Sequence, residues 1–94
     1  EKLSEHQVTQ AMTVAMRRTG FGVGTYSVAP VWHDTRPYYG LFIEEPDAGD
    51  AAGLLRFLAE YDRALGELNI EYAAKRDGGR LGPVRPEPVP GLLW

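Results

Sequence analysis

Leu65-Gly66-Glu67-Leu68-Asn69-Ile70-Glu71-Tyr72-Ala73-Ala74-Lys75-Arg76, followed by Gly78-Gly79-Arg80-Leu81-Gly82-Pro83, is the stretch on which the fold turns. It reads as the end of one helix, a break at Asn69, a short second helix, a glycine turn and the start of a strand. Upstream, Leu54, Leu58, Tyr61, Leu65 and Leu68 repeat at i, i+4, i+7, i+11 and i+14, with Leu55 and Phe57 widening the stripe. That spacing predicts a long amphipathic helix, capped by Asp50 and ending at Leu68. Asn69 then caps the short helix over 70–77, which Gly78-Gly79 stops.

Downstream, residues 82–89 read as a strand punctuated by Pro86 and Pro88, with Pro90 just beyond. Each proline lacks a ladder donor, so the strand belongs at an irregular sheet edge. Gly91-Leu92-Leu93-Trp94 reads as a tail. Upstream of the long helix, Tyr38 to Glu45 is a second strand whose apolar run Leu41-Phe42-Ile43 suits a central position. A strand over 24–32 precedes it, with Pro30 marking an edge or an end and a turn through His33-Asp34-Thr35-Arg36-Pro37 between them. The first helix runs over 5–18. Ser4 and Gln7 form a capping-box pattern, Val8, Ala11, Met12 and Ala15 make one stripe, Arg17 and Arg18 fill the last turn, and Gly20 ends it.

The order is therefore α-β-β-α-α-β. The predicted fold is α+β and two-layered, with two longer helices on one face of a small, mostly antiparallel three-stranded sheet. Ninety-four residues fit one domain. Beginning at Glu1, the sequence reads as a piece of a larger protein.

Composition excludes several function classes. A formal net charge of −3 argues against a dedicated nucleic-acid binder. No apolar run approaches the roughly 20 residues that span a bilayer. The absence of cysteine removes disulfides and thiolate catalysis and fits a cytoplasmic, reducing setting. His6 and His33, the two histidines, stand in no zinc-ligand spacing, so no metal site is expected. Ser4, Ser27 and the threonines lack a nucleophile-elbow context. Gly20-Phe21-Gly22-Val23-Gly24 lies between a helix and a strand, whereas a phosphate-cradling loop runs from strand to helix. Glu44 and Glu45, neighbours on a strand, point to opposite faces and read as a solvated strand end.

One basic cluster remains. Lys75, Arg76, Arg80 and Arg85 gather near Tyr72 and could meet a phosphate or carboxylate, or pair with Glu67, Glu71 and Asp77. Lys2, read from the residues alone, is a solvated terminal lysine.

Three motifs carry a family resemblance. Glu1-Lys2-Leu3-Ser4-Glu5 is similar to an acidic-Lys-x-x-Glu segment, and Tyr39-Gly40-Leu41-Phe42-Ile43-Glu44 to a central strand. Leu68-Asn69-Ile70-Glu71-Tyr72 with Arg76, then Leu81-Gly82-Pro83, is similar to a C-terminal signature. In this order they resemble the C-terminal domain of the auxin-responsive promoter family of acyl acid–amido synthetases, the plant auxin and jasmonate conjugases and their bacterial relatives. The family has Gly-Thr-Phe where this chain has Gly91-Leu92-Leu93.

The resemblance implies the mobile lid of an adenylate-forming ligase. A missing N-terminal adenylation domain would bind ATP, Mg2+ and a carboxylic acid, and an amino acid would be the acceptor. This stretch alone would bind no cofactor and be inactive. Lys2 matches the lysine that approaches the adenylate, and Tyr72, Lys75, Arg76 and Arg80 are candidate substrate or phosphate contacts. The other reading is a free-standing α+β module for protein interaction or ligand sensing.

Overall fold

The computed structural model describes residues 2–32, 36–44 and 51–89. The expected Asp50 cap, residues 33–35 of the expected turn, Glu45, Pro90 and the 91–94 tail lie outside them.

Helix α1, Glu5–Thr19, starts with the capping box that Ser4 and Gln7 suggest and ends at Gly20, whose φ of 74° is the left-handed conformation that glycine tolerates best. Strands β1, Tyr26–Val31, and β2, Tyr38–Glu44, pair antiparallel with Tyr26 opposite Ile43 and Val31 opposite Tyr38. Helix α2, Ala51–Leu68, is followed after Asn69 alone by α3, Ile70–Asp77. The glycine pair ends α3, with Gly79 at a φ of 73°, and β3, Arg85–Val89, closes the sheet.

The element order, the fold class and the central place of β2 are as the sequence indicates. The sheet is mixed, however, with order β1-β2-β3. β3 runs parallel to β2, with Gly40 opposite Arg85 and Glu44 opposite Val89. The cause is the connection: α2 and α3 carry the chain back to the end of the sheet where β2 began, the crossover that a parallel pair requires. Both outer strands are edges, as their prolines demand. Pro86 and Pro88 are two residues apart, so their missing donors fall on one side of β3, away from β2.

Tyr39, Leu41 and Ile43 point from β2 into the helical layer, among Ala11, Met12 and Ala15 of α1 and Leu54, Phe57, Leu58, Tyr61 and Leu65 of α2. Burying this set is the main source of stability. Leu55 departs from the expected stripe. It is 68% exposed, because it sits about 100° round the helix from Leu54 and looks away from the sheet.

On the opposite face, Tyr38, Gly40 and Phe42 alternate with the core residues. Arg85 stacks 4.5 Å from the Tyr38 ring centroid, and the Tyr38 hydroxyl donates to Glu87 at 3.0 Å, which covers the tyrosine. A Cβ at Gly40 would lie 3.1 Å from Val31 and 3.2 Å from both Glu87 and Phe42, so these side chains close over the glycine. Trp32, at the end of β1, is 80% exposed.

Candidate functional site

Of the residues singled out in the sequence, Tyr72 and Arg76 lie on one side of the α2–α3 elbow and Lys2 on the other. Asn69 makes that elbow. Its backbone is extended, and its Oδ1 accepts from the Tyr72 amide at 3.0 Å, satisfying one of the unpaired donors at the start of α3. Gly66 lets the two helices come close, since a Cβ there would lie 3.4 Å from that of Ala73.

On the first side stand Asp62, Tyr72 and Arg76. Tyr72 and Arg76 are four residues apart on one face of α3, and both turn to Asp62 of α2. The Arg76 guanidinium forks onto the carboxylate, with Nε 3.1 and 3.0 Å from its two oxygens and Nη2 2.9 Å from Oδ2. Its Nη1 also donates to the Leu81 carbonyl at 3.4 Å, tying the start of the β3 segment to α3. The bond to Asp62 raises the Arg76 pKa. The Tyr72 hydroxyl donates to Asp62 as well, and its ring, 1% exposed, packs 6.0 Å from that of Tyr39. Burial first, then the bond to Asp62, raises the Tyr72 pKa, so it is a neutral donor at physiological pH.

Asp62 is an acidic partner that the sequence does not single out for this cluster: Arg76 pairs with it, and Glu67 meets Arg18 of α1 at 3.3 Å. The rest of the basic cluster is dispersed. Arg80 is exposed in the turn after α3, Lys75 is partly buried, and Arg85 lies over Tyr38. The Asp62–Arg76 pair forms a ridge between two surface grooves. One, of about 370 Å³, runs between α2 and α3 past Gly66, Glu67 and Ala73. The other, of about 430 Å³, is bounded by Leu55, Leu58, Pro83, Val84 and Pro86.

On the second side stands Lys2, exposed in the lead-in to α1. Its carbonyl accepts from the side-chain Nδ2 of Asn69 at 3.3 Å. The same nitrogen donates to Gln7 Oε1 at 3.2 Å, and Gln7 Nε2 donates to the Leu68 carbonyl at 3.0 Å. Gln7 thus completes its own helix cap and joins α1 to the end of α2. Sequence reasoning found both caps but not the links between them. The signal was there in chemistry: Gln and Asn each carry amide donors that capping does not use.

Among the described residues no group of three or more His, Cys, Asp and Glu could hold a metal ion, and no helix is long and apolar enough to cross a membrane.

The model of the GH3 family C-terminal domain matches residues 6–91. The chain belongs to the GH3 family. The match takes in the elbow, the Asp62–Tyr72–Arg76 cluster and all three strands, and begins four residues after Lys2. Comparison with curated proteins and with solved structures returns no match.

Proposed function

We propose that this GH3 domain is the C-terminal lid of an ATP-dependent acyl acid–amido synthetase. The observation that carries the reading is the family match over residues 6–91, since the GH3 family includes auxin-conjugating acyl acid amido synthetases. In the first half-reaction the substrate carboxylate attacks the α-phosphate of ATP, giving an acyl-adenylate and pyrophosphate. In the second, an amino acid's amine attacks the acyl carbon, AMP leaves, and the amine gives up a proton as the amide forms. ATP and Mg2+ would be held by the upstream adenylation domain.

Two parts of this chain serve that reading. Lys2, on a lead-in fastened to the elbow, would bring its ammonium to the oxygens on which charge builds. The lid as a whole would exclude water from the adenylate. Arg76 and Tyr72, committed to Asp62, would act by holding α2, α3 and the Leu81 segment as one body, and Arg80, exposed in the turn after α3, would be the candidate cation to meet a phosphate.

The test is steady-state kinetics on the full-length protein. Lys2→Ala should lower kcat on the order of 10²-fold and leave the KM for ATP little changed, as expected when a stabiliser of developing charge is removed. Lys2→Arg should recover only part, because a planar guanidinium does not reproduce a compact point charge. Wild-type turnover in both variants would remove the lysine from the mechanism.

A further inference from the structure

We propose that Asn69 is a positioning residue that fixes the Lys2 segment to the α2–α3 elbow, an inference that deepens the lid reading and rests on it for its catalytic meaning. A helix cap needs only an acceptor, and Asp, Ser or Thr would provide one. Asparagine alone among the favoured caps adds an amide donor, and here that donor is used. Oδ1 accepts from the Tyr72 amide at 3.0 Å, while Nδ2 donates to the Lys2 carbonyl at 3.3 Å and to Gln7 Oε1 at 3.2 Å. Gln7 Oε1 also accepts from the Ser4 amide at 3.1 Å, and Gln7 Nε2 reaches the Leu68 carbonyl at 3.0 Å. The Asn69 and Gln7 side chains together therefore gather the lead-in, the start of α1, the end of α2 and the start of α3.

The elbow is itself firmly based. The Asn69 amide donates to the Leu65 carbonyl at 2.9 Å, and Leu65 is wholly buried in the core. Residues 2–4 have no helix or strand of their own to order them. Without the tether, ordering this segment would draw on conformational entropy at the moment the lysine is needed. With it, the backbone that bears Lys2 moves as part of the domain, and only the side chain remains to be placed. Placement of this kind matters, because a misplacement of about 1 Å can cost on the order of 10²-fold in rate.

Asn69→Asp keeps a capping acceptor and removes the donor, and Asn69→Ser keeps the acceptor while replacing the amide NH2 with a single hydroxyl on a shorter side chain. In this chain, amide hydrogen exchange at Ser4 and Gln7 should accelerate roughly 3- to 10-fold in either variant, the range for losing one net hydrogen bond, while exchange over Tyr72–Arg76 stays as in the wild type. In the full-length protein, Asn69→Ser should lower kcat on the order of tenfold at constant KM for ATP, and should add nothing to Lys2→Ala in the double variant. Unchanged exchange at Ser4 and Gln7 in both variants would overturn the tether. A kcat loss that multiplies with that of Lys2→Ala would overturn the route through the lysine. Normal turnover in Lys2→Ala overturns the lid-lysine reading instead, and the exchange measurement, which needs no turnover, still decides the tether.

Discussion

Tyr61 and Tyr72 are the largest of the side chains that the core encloses completely, and each brings a hydroxyl with it. Tyr72 spends its hydroxyl on Asp62, and Tyr61 donates to the Val8 carbonyl at 3.4 Å. Burial is the first cause that raises both pKa values above the ordinary 10.0. The sign follows from proton binding: the folded chain holds these protons more tightly than the unfolded one, so their contribution is complete below 10.0 and is lost as the pH rises beyond it. The melting temperature should show no loss from this source between about pH 7 and 9 and should fall above pH 10. Scanning calorimetry should find a shallower alkaline fall in Tyr61→Phe/Tyr72→Phe, at about 1 kcal/mol per lost hydroxyl bond at neutral pH. An alkaline slope equal to that of the wild type would refute the assignment. These tyrosines were legible as helix-stripe and signature residues, but the carboxylate that receives Tyr72 was not. Asp62 stands 10 residues before Tyr72 and 14 before Arg76, and only the angle between two helices brings the three together.

Helix α2 shows why patterns that repeat along the chain are read well and pairings across it are not. Leu54, Leu58, Tyr61 and Leu65 share a face because 3.6 residues make a turn, and all four are buried. Leu55 is apolar but out of phase with that repeat, and it is exposed. Leu58 and Leu55 therefore offer a controlled contrast within one helix. Leu58→Ala should cost about 2–5 kcal/mol, since the residue is 5% exposed and its loss opens a cavity. Leu55→Ala should stay within about 0.5 kcal/mol, as for most surface changes. Urea unfolding of both variants checks it, and equal costs would mean that the helix is rotated from its described phase. Strand β3 illustrates the opposite limit. Its prolines showed that it is an edge, because donor loss is a local property. They could not show its direction, which depends on how α2 and α3 return the chain across the sheet.

For the molecule as a whole, the cations decide what it can bind unaided. Arg76 is held in a fork by Asp62, Arg85 lies over the Tyr38 ring, and Arg18 meets Glu60 at 3.5 Å and Glu67 at 3.3 Å. The 370 Å³ groove is bordered by Asp62, Glu67 and Asp77 against Arg63 and Arg76, so it carries no excess of positive charge to hold a phosphate chain. The chain alone should therefore not bind nucleotide. Native-state binding at about 100 times the dissociation constant would add about 2.7 kcal/mol. For a domain of this size that means a rise in melting temperature of roughly 10–20 °C. Millimolar ATP with Mg2+ should leave the melting temperature of this chain within about 1 °C, against that yardstick. The same preparation should show no ATP–pyrophosphate exchange with any carboxylic acid, because the proposed function puts adenylation on a separate domain. A clear thermal shift, or measurable exchange, would place a nucleotide site on this chain and contradict the proposed role as a lid that acts only on a site formed elsewhere.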